Sequence, residues 1–232
     1  MLVGAGNARR GLAHVALLAG VLTGCAGAEE DGTRANASTS AKATADRTGS
    51  NAEVAARGGT IGASGSACEL PVTFDIAKEW KAEAVDGGTA TDKATDDAGE
   101  LGQDVADALL HQGPVTAACE VDAKPAGHIG FLRVWTGEPG DDDARTVLEA
   151  FVAAEGSTSK AKYQDFKAGD LKGVEVQYLY TSELLDETKP ERALAVTTAR
   201  GPVVVHLGGL DTGEHRAMLP AYELAKRTLR TA

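Results

Sequence analysis

Successive segments between residues 174 and 207 alternate apolar and polar side chains, and a period of two sustained over that length excludes a helix. Val174, Val176, Tyr178 and Tyr180 interleave with Glu175, Gln177, Leu179 and Thr181. Leu194, Val196 and Thr198 define the next strand, Arg200-Gly201-Pro202 supplies a turn, and residues 203–207 return as its hairpin partner. Strands joined in this way pair antiparallel. Upstream, residues 128–135 predict an inner strand, with Ile129, Phe131 and Trp135 on one face and Leu132 and Val134 on the other. Val72-Thr73-Phe74-Asp75-Ile76 and residues 80–85 predict two short strands, residues 162–168 another, and residues 105–110 a short helix.

An antiparallel sheet with one apolar face needs a cover. Two amphipathic helices provide it, over residues 142–154 with Val147, Leu148 and Phe151 as the stripe, and over residues 214–230 with Met218, Tyr222, Ala225 and Leu229. Pro220 must fall in the first turn of the second helix or kink it. The fold class is therefore α+β, an antiparallel β-sheet with packed helices. Acidic residues gather at Asp92, Asp96, Asp97 and Glu100, in a stretch that reads as an exposed loop, and at Asp141-Asp142-Asp143, just before the first helix. Neither has the alternating spacing of a calcium loop. The first suits a solvated loop and the second a helix cap.

The N-terminus is of another kind. Arg9 and Arg10 precede an almost uncharged apolar run that ends in Leu22-Thr23-Gly24-Cys25, which resembles the lipobox of bacterial lipoproteins. The resemblance implies a signal peptide over residues 1–24, removed to leave Cys25 as a lipidated N-terminus. Its sulfur would carry a diacylglycerol thioether and its amine often a further acyl chain such as palmitate, two chains being enough for stable anchoring. Arg9-Arg10 leaves twin-arginine export open beside the general route. Residues 25–66 then read as the lipidated cysteine and a disordered tether of Ala, Gly, Ser and Thr, with only Val54 and Ile61 as sizeable aliphatics. Residues 67–232 remain as a single domain, held outside the cell on the membrane. A formal charge of −11 disfavours nucleic acid and extended contact with anionic lipid.

With Cys25 committed to lipid, Cys68 and Cys119 are left as an even pair in a compartment that permits disulfides. A bond between them, two buried thiols, or a metal or redox pair are the alternatives, the last without support from any Cys-x-x-Cys spacing. His128 and His206 across the sheet make a thin metal site, and His206 reads as a half-exposed strand residue. Ser182 with His206 or His215 lacks the Gly-x-Ser-x-Gly elbow of a hydrolase. No catalytic residue, metal or cofactor is predicted. Phe131, Trp135, Tyr178 and Tyr180 concentrate the aromatic content of an aromatic-poor chain, and either pack the core or line a ligand groove.

The Leu70-Pro71-Val72-Thr73-Phe74 strand running into Trp80, the Gly130-Phe131-Leu132-Arg133-Val134 strand and the Val203-Val204-Val205 strand before a final helix give an order of elements that resembles the PsbP-like fold. The likeness is to the small actinobacterial lipoproteins of the LpqN and LpqT kind. It departs at Glu79, where that family tends to have Gly, and in the unmatched insert at residues 86–127. The resemblance implies an accessory or binding protein without catalysis. A non-enzymatic lipoprotein that binds another envelope protein is the first expectation, a carrier or sensor of a small apolar ligand the second, and a hydrolase the third. Aromatics covered by a helix would favour contact through loops and edges.

Overall fold

In the computed structural model, residues 53–86 and 110–232 are described, all within one compact unit. The lipobox and Cys25, the acidic stretch from Asp92 to Glu100 and residues 105–109 of the expected short helix lie outside them. The elements in order are β1 (Arg57–Ile61), β2 (Val72–Ala77), β3 (Lys81–Ala84), β4 (His111–Gln112), β5 (Val115–Asp122), β6 (Gly130–Thr136), α1 (Ala144–Ala154), β7 (Thr158–Ala168), β8 (Leu171–Ser182), β9 (Glu187–Thr198), β10 (Gly201–Gly209), α2 (Thr212–Thr228) and β11 (Arg230–Thr231). A 3-10 turn, Lys124–Ala126, joins β5 to β6.

The expected antiparallel sheet is the spine. It runs β3-β5-β6-β10-β9-β8-β7, with β4 paired to β5, and every pairing in it is antiparallel. A second sheet, β1-β2-β11, is also antiparallel. The large sheet is covered on both faces. On one, Val147, Leu148 and Phe151 of α1 pack against Val174, Val176, Tyr178, Ala193, Ala195, Val204 and Trp135. On the other, Met218, Tyr222 and Ala225 of α2 and Leu229 just past its end, together with Val72, Phe74 and Ile76 of β2, pack against Leu132, Val134, Leu194, Val196, Val203, Val205 and Leu207. That double cover explains why β10 is apolar without alternation: both of its faces are interior.

Local chemistry fixes the ends of the elements. Asp143 caps α1, its carboxylate accepting from the Thr146 N–H at 2.8 Å, so part of the second acidic cluster serves the helix as expected. Asp211 caps α2 in the same way through Glu214. Pro220 sits well inside α2 rather than in its first turn, and its carbonyl accepts from the Ala55 N–H at 3.0 Å, which docks the incoming chain on the helix. Gly201 opens β10 at φ 109°, where a Cβ would run into the Gly137 carbonyl.

The domain begins before the expected boundary at residue 67. Arg57–Ile61 pairs with β2 instead of continuing a tether, held by Arg57 to Asp75 at 2.7 Å and Thr60 to Asp75 at 2.6 Å. Its glycines are the reason it looks like linker: a Cβ on Gly58 would lie 2.5 Å from the Ala77 carbonyl, so the close approach needs Gly. Within the insert that appeared unmatched lies β5, an inner strand. A bulge between Ala117 and Cys119 moves it from one core to the other, Val115 and Ala117 facing α1 and Cys119 and Val121 facing α2.

Cys68 and Cys119 are joined by a disulfide with Cα atoms 5.9 Å apart. It ties the segment before β2 to the large sheet across a sequence separation of 51. The chain-entropy relation gives about 4 kcal/mol for such a loop. Replacing both cysteines by Ala is expected to lower unfolding free energy by that order, read from urea denaturation, while a thiol assay under denaturing, non-reducing conditions finds neither of them free. Glu79, the position of the family departure, has φ 69°. Glu79→Gly is therefore expected to raise stability by up to about 1 kcal/mol, seen as a higher urea midpoint at unchanged slope.

Candidate functional site

The chemistry of the domain gathers at one end of the large sheet, where β6 starts, β10 stops, β8 turns into β9 and α1 ends. His206 is the penultimate inward position of β10 on the α1 side, and it is buried, only 8% exposed, in place of the half-exposed strand residue expected. Its Nε2 lies 3.2 Å from Glu191 Oε2 on β9 and 3.3 Å from the Tyr178 hydroxyl on β8. The Tyr178 hydroxyl donates to Glu155 Oε2 at 2.5 Å, and Glu155 is the C-cap of α1. Lys189 closes the cluster, its Nζ 2.8 Å from Glu191 Oε1 and donating to the Gly209 carbonyl at 2.5 Å. Tyr178 stacks beside the imidazole and Phe151 meets it edge-on at 5.7 Å, so the ring plane is set by packing.

Burial opposes charge on His206, but the hydrogen bond and charge of Glu191, with Glu155 behind it, outweigh burial and hold its pKa above the ordinary value. Burial likewise works to raise Glu191, and His206 and Lys189 together bring it below the usual carboxylate range. For Tyr178, burial and then the Glu155 charge both push upward, which keeps the hydroxyl a donor. The opposite face of the same strands carries a second charged group. Lys226 reaches Glu175 at 3.2 Å and Glu223 at 2.9 Å, and Arg192 reaches Glu223 at 3.2 Å. This set fastens α2 to β8 and β9.

Of the aromatic candidates, Trp135 and Tyr178 are core residues, 3% and 2% exposed, with Trp135 edge-on to Phe151 at 5.6 Å. They fill the space beneath α1 that a groove would occupy. Phe131 and Tyr180 are half-buried, Phe131 stacking on the Arg133 guanidinium at 4.5 Å and Tyr180 lying 5.9 Å from the Lys189 ammonium. His128 does not approach His206; its Nδ1 lies 3.3 Å from Glu214 of α2. Ser182 accepts from the Leu185 N–H and makes no pair with His206 among the described contacts.

Nothing in the sequence pattern singled out Glu155, Glu191 or Lys189, because Glu155 comes from the end of α1 and Lys189 and Glu191 from β9, and only helix packing and pairing register bring them to His206. A histidine inside an otherwise apolar strand was the available signal. The same end carries the large exposed apolar side chains. Leu184 and Leu185 form the tip of the β8–β9 hairpin and are 93% and 63% exposed, with Ile129 and Leu210 nearby in the same sheet end and joined by a backbone hydrogen bond of 3.0 Å. Two leucines in a Glu-Leu-Leu-Asp turn, where turn chemistry favours polar residues, also marked the tip in the sequence. Beside it, a cleft of about 350 Å³ is lined by Lys160, Lys162, Gln177, Arg192, His215 and Arg216, among others.

A family model described as uncharacterised lipoprotein matches residues 38–229. Comparison with curated proteins gives no match. Among solved structures, the chain is similar to cyanobacterial PsbP (CyanoP) from Synechocystis sp. PCC 6803, a solution structure, with a TM-score of 0.44 and 12% identity over 74% of this chain and 97% of that one. At that TM-score neither a fold family nor a role follows from the likeness. No helix among the described residues is long and apolar enough to cross a membrane.

His215 supplies a pH test. It is 4% exposed with its Nδ1 unpartnered, and burial lowers its pKa from 6.5 to about 4. The unfolded chain takes up this proton near pH 6.5 and the folded one resists it, so stability falls as pH drops from about 6.5 to about 4. In His215→Leu the slope of unfolding free energy against pH in that window is expected to be shallower by up to about 1.4 kcal/mol per pH unit, one proton's worth, measured by urea denaturation at stepped pH.

Proposed function

The chain belongs to this family of uncharacterised lipoproteins, and we propose that it is an extracytoplasmic protein, anchored by lipid on Cys25, that binds an envelope protein without catalysing a reaction. The observation that carries the binding role is the pair Leu184 and Leu185, exposed at the tip of the β8–β9 hairpin. Exposed leucines at a turn have no part in the fold, since both cores close without them.

Other routes of contact are less suited. The outer strand β7 carries Lys160, Lys162 and Lys167, and a bulge between Ser159 and Lys162 with Lys160 at φ 55°, devices that discourage strand addition. The opposite outer strand, β3, is short. Aromatics under α1 leave no apolar groove there, and a larger cleft of about 660 Å³ combines Phe166 and Val174 with a border of Asp143, Arg145, Asp165, Lys167 and Lys172, charges that an apolar ligand would have to desolvate. Glu183, Asp186 and Glu187 flank the leucines, so the tip matches an apolar pocket with a basic border better than an anionic lipid surface. The finer kinship to actinobacterial lipoproteins with a PsbP-like domain rests on the element order of the three quoted strands and agrees with an accessory role.

Cys25→Ser is expected to shift the protein from the membrane to the soluble fraction. In crosslinked envelopes, Leu184→Ser with Leu185→Ser is expected to lose a discrete partner at least tenfold while membrane attachment and thermal unfolding stay unchanged; Lys167→Ser serves as the control and keeps it. Equal capture by the leucine double variant overturns the hairpin as the contact, and membrane retention of Cys25→Ser overturns the anchor.

A further inference from the structure

Glu155 breaks a local rule. A carboxylate at the C-cap lies at the negative end of the helix dipole, where cations are favoured, and here it also faces a second carboxylate, Glu191. Lys189 engages the Glu191 oxygen that points away from His206 and makes no contact with Glu155 among the described ion pairs. The remaining oxygens and the imidazole converge: one ligand atom each from Glu155, Glu191 and His206 lies within 4.8 Å of the others.

We propose that Glu155, Glu191 and His206, with the Tyr178 hydroxyl alongside, form a site for one divalent cation of the zinc or manganese class. Donors around such an ion at about 2.1 Å stand roughly 3.4 Å apart in tetrahedral array. Glu191 Oε2 to His206 Nε2 is 3.2 Å, so that edge is close to this spacing, and the Tyr178 hydroxyl stands 3.3 Å from the same nitrogen. Glu155 is half-buried at a helix end, where release of its Tyr178 hydrogen bond lets the carboxylate turn toward the ion and where the site is open to entry from solvent. One imidazole nitrogen with carboxylate oxygens and no thiolate suits Zn²⁺ or Mn²⁺ and gives no support to Cu(I), while three protein donors fall short of the six to eight oxygens of Ca²⁺.

The surroundings are those of a supported metal ligand set. Phe151 and Tyr178 fix the imidazole plane. Lys189, anchored on the Gly209 carbonyl, orients the Glu191 carboxylate through Oε1 and leaves Oε2 for the ion. The site is separate from the hairpin leucines, and its existence does not depend on a protein partner.

The test uses the full chain in detergent, stripped with chelator and titrated with ZnCl₂ and with MnCl₂ by calorimetry and native mass spectrometry. One equivalent of at least one of the two ions is expected, with affinity reduced tenfold or more in Glu155→Gln and a hundredfold or more in His206→Gln, and unaltered in Glu149→Gln on the exposed side of α1. Glu155→Gln changes a half-buried helix end and keeps the test valid if His206→Gln fails to fold. With Co²⁺ as a spectroscopic probe, the bound ion is expected to show nitrogen and oxygen ligation. Binding of neither ion, or binding that Glu155→Gln leaves at full strength, overturns the site; the latter places the ion on surface groups such as His128 and Glu214.

Discussion

The burial of β10 on both faces is the constraint from which the rest of the domain follows. Val203, Val205 and Leu207 enter one core and Val204 the other, so no face of this strand meets water. Such a strand needs a cover on each side, which is why a single sheet carries α1 on one face and α2 with a small second sheet on the other. It also sets the dielectric around any polar residue placed there. His206, within this run, is tolerated because Glu191 on the adjacent strand β9 and Tyr178 on β8 beyond it satisfy it.

How much of this could be read from the chain alone depends on where the determining contacts lie. β8, β9 and β10 were legible because their alternation and turn residues are local. The helices were legible for the same reason, each having its apolar stripe and its aspartate cap within a few residues. β5 was not, because small alanines hide its β character and its bulge exchanges the faces midway. β1 was hidden by its glycines, and the purpose of Gly58, close approach to the end of β2, appears only when β2 is beside it. The polar cluster was less legible still, since Glu155, Tyr178, Glu191 and His206 are neighbours only through register and helix packing. The disulfide lay between: the pair was countable, and its bonding needed the two residues brought within reach.

A division of labour between the two ends of the sheet emerges. At the end where β9 turns into β10, Thr198, Gly201 and Arg200 close the hairpin, Arg200 reaching the Leu70 carbonyl, and the contacts there join the two sheets. At the other end the strands finish unevenly: β8 and β9 run beyond β10, leaving their hairpin unsupported on one side and the carboxylates of Glu155 and Glu191 beside a strand terminus. Uneven strand ends are thus what give the protein both a protruding apolar tip and a polar recess.

The covalent link between Cys68 and Cys119 has a mechanical meaning as well as a thermodynamic one. A pull from the N-terminal side would first load β1, an outer strand that can be peeled from β2 one hydrogen bond at a time, along with the Ala55 contact to α2. Peeling cannot pass residue 68, because from that point the load goes directly into β5, an inner strand of the large sheet. Strain from any attachment preceding β1 is therefore absorbed by a short sacrificial segment, and the strands that carry His206 and the hairpin stay in register under tension.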